Sequence, residues 1–171
     1  MKLKAIIFDL DGTIAETEEL HRQAFNSAFE KLKLNWFWDN SIYKQLLQIG
    51  GGVERLQEFQ KNNISMNNWL SKEEINQIHT EKVASYTKIM GLTKVKPRPG
   101  ILDLISQARS RNIKVAIATA SSSVSANTLS KAIWRKSIGE VFECFVSGDE
   151  VDKKKPAPDI YLLALKKLSL K

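Results

Sequence analysis

Hydrophobic residues near the N-terminus form an unbroken run that ends at two carboxylates. The run from Ala5 to Phe8 shows no alternation, which is typical of a strand buried on both faces of a parallel sheet. Asp9 and Asp11 follow it, and alternate residues of an extended chain point the same way. We therefore predict that the two carboxylates share a small volume, where a cation or a bound proton relieves their repulsion. An ordinary Asp-Gly turn after the strand is the alternative.

Between residues 16 and 90 the hydrophobic period changes from that of a strand to that of a helix. Leu20, Ala24 and Phe25 begin an apolar stripe at three- and four-residue spacing that continues to Leu32. Ser71, with a glutamate three residues later, has the spacing of a helix N-cap. The pattern predicts helices without a convincing strand, over residues 16–33, 42–49, 53–62 and 71–90.

Strands and helices alternate again from residue 94 onward. We predict helices at 97–111, 122–134 and 156–168, and strands at 114–119 and 142–147. Such alternation is typical of a parallel sheet built from βαβ units. The sequence therefore predicts an α/β fold, with a Rossmann-like, doubly wound core of residues 1–15 and 93–171 and an inserted α-helical cap of residues 16–92.

Composition and charge narrow the possible functions. The 171 residues are 43% hydrophobic, but no apolar run approaches the ~20 residues that span a bilayer. The N-terminus does not resemble a signal peptide, so we expect a cytoplasmic protein. We also expect a monomer that has no membrane partner. A net charge of +7 favours anionic partners. In the absence of a helix-turn-helix or zinc pattern, we expect a small phosphorylated metabolite rather than nucleic acid.

Polar residues also follow the second and third predicted strands. Thr119, Ala120 and the two serines after them lie at a helix start, where hydroxyls and backbone N–H groups suit an anion. An ordinary N-cap is the alternative. Lys155 precedes two closely spaced prolines, which stiffen its backbone, although it could equally be a solvated charge. Because ligands of open α/β sheets bind beyond the carboxyl ends of the strands, we predict a site there.

These three strand ends together resemble the first three motifs of the haloacid dehalogenase superfamily of phosphoryl-transfer enzymes. The resemblance implies that Asp9 attacks a phosphorus atom, and that Asp11 protonates the leaving oxygen and later activates water. It implies that Thr119 and the N–H of Ala120 hold phosphoryl oxygens, while Lys155 neutralises charge between the phosphate and Asp9. It also implies a Mg²⁺ cofactor, held by the Asp9 carboxylate and the Asp11 carbonyl oxygen.

The predicted cap resembles the CbbY-type branch of that superfamily, which is close kin to β-phosphoglucomutase. The resemblance rests on residues 15–26 and 36–39, on Tyr43 and on the segment Gly-Gly-Gly-Val-Glu-Arg at residues 50–55. It implies a phosphatase of a small phosphorylated sugar, with xylulose 1,5-bisphosphate as a candidate substrate. The residues that it implies for substrate binding in the cap are Glu16, His21, Tyr43, Gly50, Gly51, Gly52 and Arg55.

Without the family, these cap residues have plainer interpretations. His21 could form a surface ion pair with Glu18, Arg55 could be a solvated helix charge, and Tyr43 could be an aromatic of the cap core. The three glycines are harder to explain by structural needs alone, since glycine lowers the stability of a helix or strand.

Two departures from the family pattern change the expectation. Val53 stands where the branch has a lysine, which weakens the predicted grip on a distal phosphate. A fourth motif, an acidic pair after another strand, is absent up to Lys171, so we expect weak metal binding and an exposed apolar sheet edge. The alternatives to a phosphatase are a phosphomutase and a truncated, inactive protein that binds phosphorylated sugars.

Overall fold

The structure is a computed structural model that describes residues 2–170. The chain divides into two compact units. The core unit contains residues up to Thr17 and from Thr93 onward, and the cap unit is Glu18–Leu92. The first boundary thus falls after Thr17, two residues later than the sequence pattern placed it.

Helices and strands alternate in the core unit, whereas the cap unit is helical. In chain order the strands and α-helices are β1 (Ala5–Phe8), α1 (Glu18–Lys31), α2 (Asn40–Leu46), α3 (Gly52–Asn63), α4 (Lys72–Leu92), α5 (Ile101–Ser110), β2 (Lys114–Ala118), α6 (Ser123–Trp134), α7 (Ile138–Val141), β3 (Cys144–Val146) and α8 (Asp159–Lys167). Short 3₁₀ helices occupy Met66–Asn68 and Gly148–Glu150.

A parallel, three-stranded sheet in the order β1-β2-β3 organises the core unit. Phe8 pairs with Ile117, and Ala118 pairs with Val146, so the carboxyl ends of all three strands coincide. The last four residues of β2 are fully buried, as expected for a strand covered on both faces. The predicted parallel α/β fold is confirmed.

Small side chains on one face of the sheet allow α8 to pack closely against it. Ala116, Ala118 and Cys144 of the sheet form one buried cluster with Ile160 and Ala164 of α8. The Cys144 thiol lies 3.8 Å from the carbonyl oxygen of Ala164, and burial raises the pKa of this thiol. Cys144 is therefore a buried free thiol that packs between the sheet and α8.

Prolines account for two helices that begin later than the sequence pattern predicts. Helix α5 begins at Ile101 rather than near residue 97, because a proline disfavours helical geometry in the residue before it and two prolines lie in that stretch. Helix α8 likewise begins directly after Pro158. Helix α7 was not predicted; it is a four-residue turn held by a capping box between Ser137 and Glu140.

The cap unit is held together by aromatic side chains between its helices. Phe25 and Phe29 of α1 contact Trp38, which is fully buried, at ring-centroid distances of 4.4 and 5.1 Å. Phe59 of α3 completes this cluster at 5.5 Å from Trp38. Ser71 and Glu74 form the predicted N-terminal cap of α4. Throughout residues 2–170, each helix is too short or too polar to cross a bilayer.

Candidate active site

Asp9 and Lys155 form an ion pair at the carboxyl edge of the sheet. The Lys155 ammonium donates to Asp9 Oδ1 at 2.9 Å and to the carbonyl oxygen of Ala118 at 2.9 Å. The Asp9 side chain is 41% exposed, whereas that of Lys155 is 20% exposed. The carboxylate therefore faces solvent while the lysine beside it is held by β1 and β2 together.

Asp11 accepts hydrogen bonds from two hydroxyl groups. Thr17 Oγ1 donates to Asp11 Oδ1 at 2.5 Å, and Ser121 Oγ donates to Asp11 Oδ2 at 2.5 Å. Thr17 follows β1 and Ser121 follows β2, so the carboxylate connects the loops after two neighbouring strands. Both carboxylate oxygens are thus oriented by neutral hydroxyl donors.

The loop after β2 leads directly into the N-terminus of α6. Thr119 is buried, and its Oγ1 accepts the backbone N–H of Ser121 at 3.1 Å. Ser122 caps α6 by accepting the N–H of Ser125. Ala120 and Ser121 therefore lie just before the first turn of the helix. Backbone donors at a helix N-terminus attract negatively charged groups.

The loops after β2 and β3 are in close contact. Gly148 N–H donates to the carbonyl oxygen of Ser121 at 3.0 Å, and Asp149 accepts the N–H of Ser123 at 2.7 Å. A Cβ atom at position 148 would lie 2.3 Å from the carbonyl oxygen of Ala120, nearer than real Cβ atoms approach. Glycine is therefore required at this position so that the two loops can meet.

Gly148→Ala is expected to destabilise the protein by about 1–3 kcal/mol, because the added methyl group displaces the backbone at Ala120. Urea unfolding followed by circular dichroism measures the change. Gly139→Ala is the matched control, since a Cβ at that position of α7 has no neighbour within 4 Å. Equal stability of Gly148→Ala and the wild type would contradict the close contact.

Three consecutive lysines have three different environments. Lys153 is exposed, and Lys154 donates to the carbonyl oxygens of Gly148 and Val151 within its own loop. Lys155 alone of the three bonds to a carboxylate of β1's loop. The three neighbouring lysines therefore differ: the first is solvated, the second stabilises its own loop and the third lies in the candidate site.

Arg98 braces the loop that carries the two aspartates. Its Nη1 donates to the carbonyl oxygen of Gly12 at 2.6 Å and lies 2.5 Å from Glu16 Oε1. Its N–H also donates to the carbonyl oxygen of Ile14 at 2.7 Å. Glu16, predicted as a cap residue, thus belongs to the core unit and is paired with an arginine near the second linker.

Within the cap unit, Tyr43 connects two charged side chains. Tyr43 is 4% exposed, and its hydroxyl lies 3.1 Å from Glu18 Oε2 and 3.1 Å from Arg55 Nη1. Arg55 Nε also donates to the carbonyl oxygen of Ile49 at 2.9 Å. Tyr43 is therefore both a residue of the cap core and a hydrogen-bond partner of Arg55, so Arg55 is not merely a solvated helix charge.

His21 lies inside the contact between α1 and α4. Its side chain is buried and stacks on Tyr86 with ring centroids 4.1 Å apart, and its Nδ1 lies 2.8 Å from Lys82 Nζ. The alternative of a surface ion pair with Glu18 is wrong, because Glu18 bonds to Tyr43 and His21 has almost no exposed surface.

Two of the three glycines at residues 50–52 have a structural reason that the sequence did not reveal. Gly51 has φ of +100°, and a Cβ there would lie 2.0 Å from Glu54 Oε2. A Cβ at Gly52 would lie 2.6 Å from the ring of His79. Scaffold requirements within the cap unit therefore account for Gly51 and Gly52, and the glycine run by itself does not require a bound anion.

The sequence does not reveal the two hydroxyl side chains that contact Asp11. No sequence pattern marks Thr17, and the pattern places Ser121 only at a helix start. Neither hydroxyl has a distinctive spacing from Asp11 along the chain, being six and 110 residues away. Nor does a sequence pattern mark Tyr161, whose ring lies 5.2 Å from Lys155 Nζ.

Comparison with known proteins identifies the family. The sequence model of haloacid dehalogenase-like hydrolases matches residues 3–171. CbbY of Rhodobacter capsulatus is 42% identical over 170 residues, which are 99% of this chain and 74% of the relative. CbbY of Cereibacter sphaeroides is 41% identical over 168 residues, which are 98% of this chain and 72% of the relative.

Solved structures agree with this assignment. The crystal structure of CbbY from Rhodobacter sphaeroides in complex with phosphate is 41% identical, with a TM-score of 0.92 over 99% of this chain and 74% of that chain. A variant of the same enzyme in complex with xylulose 1,5-bisphosphate gives 40% identity and a TM-score of 0.91, with the same coverage of 99% and 74%. The chain therefore belongs to the haloacid dehalogenase-like hydrolases, within which it is a CbbY-like phosphatase.

Proposed function

We propose that this protein is a Mg²⁺-dependent phosphatase of a small sugar phosphate, with xylulose 1,5-bisphosphate as the substrate, acting through an aspartyl phosphate on Asp9. The observation that carries the proposal is the pair of contacts to the loop after β1, in which Lys155 bonds to Asp9 and Ser121 bonds to Asp11 at the carboxyl edge of the sheet. The 42% identity to CbbY supports it, as does the complex of a CbbY variant with this bisphosphate.

The first half of the reaction uses both aspartates. An Asp9 carboxylate oxygen bonds to phosphorus while the bond from phosphorus to the sugar oxygen breaks, and Asp11 transfers a proton to that leaving oxygen. Lys155, already 2.9 Å from Asp9, neutralises charge on the phosphoryl group as it moves onto Asp9. Thr119 and the N–H of Ala120 hold phosphoryl oxygens at the start of α6.

The second half regenerates Asp9. Asp11, now ionised, takes a proton from a water molecule whose oxygen bonds to phosphorus, and the bond from phosphorus to Asp9 breaks. Inorganic phosphate leaves, and Asp9 returns to its ionised form. The hydroxyls of Thr17 and Ser121, both 2.5 Å from Asp11, keep the carboxylate oriented through both proton transfers.

The donors at this edge suit magnesium. Asp9 Oδ2 makes no hydrogen bond within residues 2–170, so one hard carboxylate oxygen is available at this edge. No group of three acidic, histidine or cysteine side chains forms in that part of the chain. Magnesium commonly binds through one or two carboxylates together with substrate phosphates, and when bound it neutralises phosphoryl charge.

Arg55 supports a substrate with a second phosphate. Its Nε and Nη1 are held by Ile49 and Tyr43, while Nη2 makes no hydrogen bond within the described residues. A guanidinium fixed on one side and open on the other is suited to a phosphate. Val53, in place of the family's lysine, packs against the cap core and adds no charge there.

A panel of sugar phosphates, assayed for released phosphate with Mg²⁺ and with EDTA, tests the proposal. We expect kcat/KM for xylulose 1,5-bisphosphate to exceed that for sugar monophosphates by about tenfold or more, and EDTA to abolish release. Conversion of β-glucose 1-phosphate to glucose 6-phosphate without phosphate release would instead indicate a phosphomutase. Calorimetric binding without turnover would indicate a binding protein.

A further inference from the structure

The Lys155 ammonium is contacted from three directions by three different elements. Asp9 follows β1 and Ala118 ends β2, and each accepts a hydrogen bond at 2.9 Å. The third contact is the ring of Tyr161 in α8, whose centroid lies 5.2 Å from Lys155 Nζ. The ring thus lies within the range over which an aromatic face attracts a cation.

Tyr161 lies in the first turn of α8 and is partly exposed. Its N–H donates to the carbonyl oxygen of Pro158 at 2.9 Å in the first turn of α8. The adjacent Ile160 is buried against the sheet at 1% exposure, whereas Tyr161 itself is 39% exposed. Its hydroxyl makes no hydrogen bond within residues 2–170. The ring is therefore the part of Tyr161 that contacts the Lys155 ammonium.

An aromatic ring beside Lys155 differs from a second carboxylate because it leaves one N–H of the ammonium available for a phosphate. The ammonium has three N–H groups, and two of them are occupied by Asp9 and Ala118. A ring attracts the charge through its quadrupole and adds no negative charge that would repel a phosphate. It also restrains a side chain that otherwise has many rotamers. The remaining N–H can therefore point to a phosphoryl oxygen.

We propose that Tyr161 is a positioning residue, which holds the Lys155 ammonium for phosphoryl transfer through its aromatic face. The proposal rests on the proposed role of Lys155. It predicts that the ring matters and the hydroxyl does not. Tyr161→Phe keeps the ring, Tyr161→Leu removes it, and Leu162→Ala is a control at an exposed neighbouring position of the same helix.

Steady-state kinetics with the best substrate of the panel separate these variants. We expect Tyr161→Phe and Leu162→Ala to match the wild type, and Tyr161→Leu to lose about fivefold in kcat with little change in KM, because the contact is partly exposed. The melting temperatures of both variants separate a loss of kcat from a loss of stability. Equal kcat values for the phenylalanine and leucine variants would overturn the proposal.

Nuclear magnetic resonance tests the contact independently of activity. The ε-methylene resonances of Lys155, identified by their loss in Lys155→Met, should move downfield in Tyr161→Leu and stay in place in Tyr161→Phe, because only the ring shields them. Unchanged resonances in Tyr161→Leu would show that the ring does not contact the ammonium. If these resonances behave as expected but Lys155→Met retains full activity, the proposed function fails while the contact stands.

Discussion

Replacing Asp9 with asparagine should lower phosphate release by at least about 10⁴-fold, since the variant lacks the nucleophile. An amide oxygen carries no negative charge and cannot form the acyl phosphate. Asp9 is 41% exposed, so the folded state should keep its stability. Initial rates under saturating substrate, together with mass spectrometry of acid-quenched protein, measure the effect: the wild type should carry a phosphoryl group on Asp9 and the variant none.

Asp103→Asn is the matched control for this substitution. It makes the same change from carboxylate to amide at an exposed position of α5. We expect wild-type rates from it. Full activity in Asp9→Asn would contradict the aspartyl phosphate, whereas retained binding of xylulose 1,5-bisphosphate with lost turnover would agree with it.

Replacing Lys155 with methionine should lower kcat by about 10²–10³-fold, because the charge that balances the phosphoryl group is removed. Methionine keeps most of the side-chain length, so packing against the loop changes little. The substitution also leaves Asp9 without its cation at 2.9 Å. Steady-state kinetics over a range of Mg²⁺ concentrations measure the loss, and we expect added metal to restore only part of it.

Lys153→Met provides the control, because Lys153 is exposed two residues away in the same lysine run. It removes the same charge and should leave kcat within about twofold of the wild type, as expected for an exposed charge without a partner in residues 2–170. Equal losses in both variants would mean that overall positive charge, rather than the contact to Asp9, governs the rate.

Local sequence patterns predicted the strands and helices correctly where the burial of side chains sets the spacing of apolar residues. The run Ala5 to Phe8 and the apolar β2 are strands, and the three- and four-residue stripe from Leu20 is helical, because side chains must face a core at those spacings. The patterns failed at segments stabilised by one or two polar contacts. The capping box of α7 is an example, since only a few residues of local geometry decide it.

The cap unit shows why residue types alone could not establish the roles of individual residues. The glycines at residues 51 and 52 suggested an anion site, yet Gly51 has φ of +100° and the His79 ring lies 2.6 Å from where a Cβ at Gly52 would be. His21 was expected to face a ligand or solvent, yet it stacks on Tyr86 between two helices. These contacts join residues up to 65 positions apart, and no local pattern specifies them.

Asp9 and Asp11 show what the sequence determined by itself. An apolar strand followed by alternate carboxylates dictates that both acids lie at the carboxyl end of β1, since strand geometry depends only on neighbouring residues. The tertiary structure alone decided their partners. Lys155, Thr17 and Ser121 reach these acids because the parallel register aligns the ends of the three strands and because the loops after β1 and β3 turn back over that edge. Long-range packing therefore brings these side chains together, although they lie far apart in the sequence.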